Sequence, residues 1–317
     1  KTIAILAVVG IAAVAFFSMG GSSSNETEFR NFMDTHRVGY GTTEEYNYRL
    51  GVFQANLDRI AELNKANPRA TFAVNGFADR TPEEMSKLMG LVIPAHKQGY
   101  KTATHVPPKN GQNVDWTDMW SAVKNQGQCG SCWAFSATAA FESRYALANG
   151  DKTVSKLFAE QELVDCDPKS HGCNGGWMDY AFEYLQENGF CEESQYPYKA
   201  RDQTCQASQN DCQSGPTDKA FTDLPAKNED AMLTELVNGP ISVAVDASTW
   251  SFYSGGVLDS CGSGLNHGVT LEKVDFDAGY AQIRNSWGSG WGEHGAIRLA
   301  LGKDMCGYAD VSSYPTF

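Results

Sequence analysis

Three residues of this 317-residue chain, Cys132, His267 and Asn285, have the types and settings to make and break covalent bonds. Cys132 ends the stretch Gln126-Gly127-Gln128-Cys129-Gly130-Ser131-Cys132, whose glycines and serine lead into a run, Trp133 to Ala148, that reads as a helix closed by Asn149-Gly150. A thiol there faces the positive end of the helix dipole, which is expected to lower its pKa toward the nucleophilic thiolate. A base and a group to hold that base occur far downstream, as His267 in Leu265-Asn266-His267-Gly268 and Asn285 in Asn285-Ser286-Trp287-Gly288. Gln126, six residues before Cys132, could donate its side-chain amide to the oxygen that turns negative when a thiolate attacks a carbonyl. Taken alone, Gln126 would read as a solvated turn residue, and a lone His between strands as a structural one.

Cys129-Gly130-Ser131-Cys132 also has the C-x-x-C form used by redox enzymes and zinc sites. The polar, glycine-rich approach lacks the strand that a thioredoxin-like motif needs, and Cys166 and Cys173 are too far apart for a matching second zinc pair. Taken together, the Cys, His and Asn motifs resemble the papain and cathepsin family of cysteine proteases. The resemblance implies that His267 takes the thiol proton, that Asn285 orients His267 under the cover of Trp287, and that Gln126 holds the oxyanion with the Cys132 N–H. It implies no metal and no organic cofactor. Within Cys173-Asn174-Gly175-Gly176-Trp177-Met178-Asp179-Tyr180, adjacent glycines let an extended ligand backbone come close. The residues alone equally allow a loop leading into a helix, with Trp177 and Met178 in the core. Exposed, Trp177 and Met178 could line an apolar pocket, and the resemblance places Gly175, Gly176, Met178 and Trp177 in the peptide groove. It also implies that Met178, Ala247, Leu265 and Val311 form an apolar pocket for the side chain two residues before the cut.

Several features of the whole chain agree with this reading. A hydrophobic content of 42% over this length supports a sizeable core and about two domains. The net charge of −13 argues against nucleic acid as a partner. Nine cysteines suit an oxidising compartment, and the odd total leaves one thiol outside internal pairing. Spacing does not resolve the other eight; the resemblance implies Cys129–Cys173, Cys166–Cys205 and Cys261–Cys306, and leaves Cys191 with Cys212 as an extra pair.

Lys1, an apolar run from Ile3 to Phe17 and small residues thereafter read as a secretory signal over residues 1–20. A membrane anchor would ordinarily need a longer apolar run. The sequon Asn25-Glu26-Thr27 follows, with Asn25 as a glycosylation candidate. From Glu28 to about Ala95 the chain is expected to be helical. Glu45, Arg49, Phe53, Asn56, Ile60 and Asn64 share one helix face, on which Glu45 and Arg49 could pair. These six match the pattern of inhibitory propeptides of cathepsin L-like proteases. A second propeptide motif is present as Ala73-Val74-Asn75-Gly76-Phe77-Ala78-Asp79, with Ala where that family usually has Gly.

Residues 93–112 lack apolar periodicity and read as a linker open to cleavage. Residues 1–109 carry 12 Lys and Arg against 10 Asp and Glu, a balance of +2, whereas 110–317 carry 13 against 28, a balance of −15. Strands are expected at Gly239–Ala247, around His267–Leu271 and at Ile283–Asn285. Glu272-Lys273-Val274-Asp275 brings charge where the resembled proteins continue an apolar strand, and Ala281 stands where they have Trp.

The expected architecture is α+β, a papain-like two-part fold with a helical half carrying Cys132 and a β-barrel half carrying His267 and Asn285. A signal at 1–20, an inhibitory propeptide at 21–109 and a peptidase domain at 110–317 make up the chain. The expected protein is a monomeric cysteine endopeptidase of the secretory pathway, in a lysosome or similar acidic compartment or outside the cell. It would act on peptides and proteins, with its own propeptide as inhibitor and release in acid. A catalytically silent relative that holds peptides in the same cleft is the alternative, which intact Cys132, His267, Asn285 and Gln126 disfavour.

Overall fold

A computed structural model of the chain describes residues 22–120 and 122–317, so the expected signal at 1–20 lies outside it. The N-terminal part builds helices α1 (Ser22–His36), α2 (Thr43–Ala66) and α3 (Pro82–Ser86), with strand β1 (Ala70–Phe72) between the last two. The helical stretch expected from Glu28 to Ala95 is therefore interrupted. Gly39 and Gly41 lie in the first gap, and Pro68 stops any continuation of α2. Asn25 lies within α1.

Helix α2 starts where Thr42 accepts a hydrogen bond from the Glu45 N–H at 3.1 Å. Its inward face carries Phe53, Asn56 and Ile60, and Phe53 meets Phe29 and Phe32 of α1 with ring centroids 5.2 and 5.3 Å apart. The polar members of that face satisfy the backbone of the segment that follows. Asn56 donates to the carbonyls of Ala78 and Arg80 at 2.9 and 2.8 Å, and Asn64 exchanges two bonds with Phe72. The expected Glu45–Arg49 pair does not form. Arg49 instead grips Glu84 through two bonds of 2.7 and 2.8 Å, and also donates to the Asp79 carbonyl. A bidentate, part-buried carboxylate is the stronger partner, since a pair along the exposed helix face contributes little.

The linker expected at 93–112 is more ordered than its composition suggests. It contains a 3-10 turn, Ala95–Thr102, with Tyr100 buried, and Val106 exchanges backbone bonds with Lys227 and Glu229. One aromatic anchor and a backbone ladder leave no hydrophobic period for a sequence reading to find.

Strand β2 (Val114–Asp115) is followed by α4 (Cys132–Ala148), α5 (Glu160–Cys166) and α6 (Met178–Glu187). Most residues of α4 are buried, Glu142 and Arg144 among them, and Ala134, Ala137 and Ala140 let neighbours approach closely. Gly150, at φ 82°, ends it. Next come β3 (Ala220–Asp223), α7 (Glu229–Glu235), β4 (Ile241–Val245), β5 (Tyr253–Leu258), β6 (His267–Asp275), β7 (Tyr280–Arg284), β8 (Ala296–Ala300) and β9 (Ser312–Thr316). The β-rich half is one mixed sheet in the order β1-β5-β8-β7-β6-β4-β9-β3, with β2 against β6. Its edge strand β1 comes from the N-terminal part, which thus adds a strand to the other half.

The charged stretch at 272–275 is accommodated by a bulge. Pairing slips between Leu271 and Lys273, and the Glu272 side chain turns inward, where Gln282 donates to it at 3.0 Å. Lys273 pairs with Asp115 of β2 at 2.6 Å, and Ala281 packs, fully buried, opposite Val274. Sulfur–sulfur bonds join Cys129 to Cys173, Cys166 to Cys205, Cys191 to Cys212 and Cys261 to Cys306. Cys132 is the free cysteine.

Candidate active site

Cys132 is the first residue of α4, and His267 is the first of β6. The two elements meet at Gly268, where an added Cβ would lie 3.3 Å from the Trp133 Cα and 3.4 Å from the Cys132 carbonyl carbon. A side chain there would push strand and helix apart. The Ser136 hydroxyl of α4 donates to the Val269 carbonyl at 2.6 Å and fixes the approach.

The His267 ring is oriented from behind. Asn285 Oδ1 accepts from the Ser286 backbone N–H at 2.8 Å, which identifies it as the amide oxygen, and it lies 2.8 Å from His267 Nε2. Nε2 must then carry the hydrogen, so the neutral ring presents the Nδ1 lone pair as its basic site. Nδ1 has no hydrogen-bond partner among the described residues. The Trp287 ring covers the histidine, with centroids 5.0 Å apart, and is itself buried. Asn285→Ala is expected to lower kcat by roughly 10- to 100-fold while leaving KM within about threefold, because it frees the ring without removing a reacting atom. Steady-state kinetics on a small peptide substrate checks this. A loss equal to that of removing Cys132 would contradict an orienting role.

Gln126 is fully buried. Its backbone N–H donates to the Ser286 carbonyl, and its Oε1 accepts from the Ser286 hydroxyl at 2.7 Å. Ser286 therefore turns the Gln126 amide so that Nε2 faces the site. The role of Ser286 is not legible in the sequence, since its use depends on Gln126 lying beside it. Tyr198 is illegible for the same reason; it donates to the Gln126 carbonyl at 2.8 Å and meets the Ser131 hydroxyl at 2.6 Å.

The N-terminal segment fills the groove over these residues. Gln126 Nε2 donates to the Leu88 carbonyl at 2.8 Å, so a main-chain oxygen already sits on the proposed oxyanion donor. Gly90 and Val92 bond Gly176, and the Leu91 N–H donates to the Asn266 carbonyl. Leu91 and Ile93 pack into the apolar cluster that holds Trp177, Met178, Leu265 and Val311, while Ala247 lies in the neighbouring cluster. Trp177 and Met178 are thus buried, not exposed as expected from the sequence. Gly175 lies against Gly90 and Val92.

This cover reverses the expected chemistry of the thiol. Burial pushes Cys132 up to about 11, although the backbone N–H groups of Gly268, Gly90 and Trp133 favour the thiolate. The same burial pulls His267 down to about 4. In this state both groups are neutral at pH 7, and the helix dipole is outweighed by desolvation.

A thiol at a helix N-terminus, an imidazole held by an amide, and a segment of the same chain seated across both define a self-covered cysteine peptidase. The description "Papain family cysteine protease" matches residues 110–316, and "Cathepsin propeptide inhibitor domain (I29)" matches residues 29–85. Cathepsin L 2 of Paramecium tetraurelia is 41% identical over 298 residues, covering 90% of this chain and 91% of that protein. Cathepsin L1 of Drosophila melanogaster is 38% identical, covering 91% and 84%. The structure of digestive procathepsin L2 proteinase from Tenebrio molitor larval midgut aligns with a TM-score of 0.81 at 34% identity, covering 92% and 100%. The chain belongs to the papain family of cysteine proteases. It is a cathepsin L-like endopeptidase in zymogen form, with its own propeptide as inhibitor.

Proposed function

We propose that Cys132 and His267 carry out peptide-bond hydrolysis with Asn285 and Gln126 as their supports, and that residues 21–109 block this site until acid releases them. The observation that carries this reading is the Leu88 carbonyl on Gln126 Nε2, because it places a peptide group where a substrate carbonyl would be polarised. Once the segment leaves, His267 Nδ1 takes the thiol proton and the thiolate attacks the substrate carbonyl carbon. Gln126 Nε2–H and the Cys132 N–H hold the resulting oxyanion. The imidazolium protonates the leaving amine as the C–N bond breaks, and water, deprotonated by His267, then hydrolyses the thioester. Met178, Leu265 and Val311, with Ala247 beside them, favour an apolar side chain two residues before the cut.

Release in acid is supported by the lysine–carboxylate contacts that cross to residues 110–317, which outnumber the crossing His105–Glu229 pair, an attraction that acid does not weaken through the imidazole. Lys97 pairs with Asp179 and Asp223, and Lys109 with Asp230. Lys109 holds the Asp230 carboxyl below its ordinary value through its backbone N–H and then its side chain. That attraction is lost only as pH falls through the depressed pKa, whereas burial and then Asp179 raise the Asp223 carboxyl even beside Lys97, so the Lys97–Asp223 pair is lost earlier on acidification. Arg49–Glu84, inside the propeptide, is not the trigger. Arg49 holds Glu84 at about 2, so this pair's contribution, complete at neutral pH, fades only between about pH 4.5 and 2. The segment should therefore leave largely folded. Processing of the purified zymogen at fixed ionic strength is expected to be fastest near about pH 4.5 and slowest above about pH 7. Fastest maturation at alkaline pH would overturn electrostatic release.

Buried carboxylates suit the peptidase half to the same conditions. Burial raises Glu162 and Asp218 to about 7 each. A carboxyl raised in the folded state stabilises it fully below its unfolded pKa of about 4, and that contribution is lost as pH rises through 7. Mature Cys132→Ala enzyme should accordingly melt several degrees higher at about pH 5 than at about pH 7.5. Glu162→Gln should narrow the difference; a higher melting point at pH 7.5 would contradict it.

The described residues include no helix long and apolar enough to cross a membrane. A signal at 1–20, glycosylation at Asn25, a monomeric state, no nucleic-acid partner, and residence in a lysosome-like compartment or outside the cell complete the proposal. The charge of −13 and four disulfides support it.

A further inference from the structure

Lys97 projects from the 3-10 turn into a cage made by the peptidase half. Its ammonium lies 2.8 Å from an Asp179 carboxylate oxygen and 2.5 Å from one of Asp223, with the Phe221 ring centroid 5.9 Å away. Asp179 is nearly fully buried at the start of α6 and is fixed by the Trp177 indole N–H at 2.8 Å and the Ser313 hydroxyl at 2.5 Å. Phe221 and Asp223 belong to β3, so two separate elements converge on one cation. The cage is rigid on the Asp179 side and open on the other, where about half of the Asp223 side chain is exposed.

When residues 21–109 leave, Lys97 leaves with them, and two carboxylates remain facing one another beside an aromatic face. Asp223 is already raised by burial and by Asp179 even with Lys97 present. Such a pair favours a replacement cation. Its place in the groove says which one. Asp179 follows Met178 directly and stands three residues after Gly176, which bonds Gly90 and Val92 of the covering segment. Three residues span at most about 10 Å, so an extended peptide held on Gly176 reaches the cage with a long side chain one to three positions further from the cut.

We propose that this cage, formed by Asp179, Asp223 and Phe221, is a substrate subsite for a lysine or arginine side chain three to five residues before the cleaved bond. The propeptide occupies it with Lys97, so one residue both tethers the zymogen and marks the site's preference. The inference rests on the proposed loss of residues 21–109 and on peptide hydrolysis by Cys132.

The test uses mature enzyme produced from the full chain, with peptides that keep one apolar residue two before the cut. Lysine, norleucine or glutamate is placed three, four or five residues before it. At one of these positions kcat/KM for lysine is expected to exceed that for norleucine by about five- to tenfold at low salt, and that for glutamate by more. The lysine-to-norleucine ratio should fall to about twofold or less in Asp223→Asn, and likewise in wild-type enzyme at about 0.5 M NaCl, where exposed charges are screened. Equal rates for lysine and norleucine at all three positions, or an advantage that survives Asp223→Asn unchanged, would overturn the subsite. If the norleucine peptides are not cleaved at all, the hydrolytic reading fails and the subsite falls with it.

Discussion

Replacing Cys132 by alanine is expected to lower peptide hydrolysis by at least about 10⁴-fold, because it removes the atom proposed to form the covalent intermediate. The fold should survive. Cys132 is buried but makes no disulfide, and α4 is held by its alanine-lined contacts and the Cys129–Cys173 bond beside it. The variant zymogen should keep its circular dichroism and melting point, remain unprocessed alone in acid, and still be cut between residues 93 and 112 by added wild-type enzyme. Turnover comparable to wild type in the purified mature variant would remove Cys132 from the chemistry.

Gly90→Ala should have the second largest effect, on latency. A Cβ at Gly90 would lie 1.8 Å from the Gly130 carbonyl oxygen and 2.4 Å from its carbon, both backbone atoms of the loop that carries Cys132. Neither can swing away, so the segment must lift. Lifting it loses the bonds of Gly90 and Val92 to Gly176, and that of Leu91 to Asn266. Steric overlap together with these bonds amounts to about 3 kcal/mol or more, which is roughly 100-fold in the population of the uncovered state. The readout is the rate at which a thiol reagent alkylates Cys132 in the full-length zymogen at neutral pH. Gly99→Ala is the control, since a Cβ there meets nothing within 4 Å. An unchanged rate in Gly90→Ala would mean that residues 88–92 do not govern access.

Residue types and order made much of this site legible in the sequence. The glycine-rich approach and the Asn149-Gly150 stop outlined α4 and put Cys132 at its start, and the spacing of His267 and Asn285 matched a specific family pattern. Contacts between distant segments were not legible. One helix face could be read from Glu45 to Asn64, but not that Asn56 and Asn64 would satisfy the backbone at 72–80, nor that Arg49 would prefer Glu84 to Glu45. Local charge favoured a thiolate at Cys132. What decides its state is burial under a segment that includes Leu88 to Val92, forty or more positions away, and that desolvation outweighs a helix dipole. The charged run at 272–275 looked like a fault in a core strand, and became a bulge once Asp115 and Gln282 were there to receive Lys273 and Glu272.

One buried, neutral thiol is expected to become the reactive group when the N-terminal segment leaves. The most direct test of this is alkylation of the full-length zymogen and of the acid-processed enzyme with one thiol reagent at the same neutral pH, followed by mapping of the modified residue. Slow labelling of the zymogen is expected, then rapid uptake of one equivalent confined to Cys132 after processing, with a pH profile shifted well below that of an ordinary thiol. Equal labelling rates before and after processing, or rapid modification of any other residue, would contradict it.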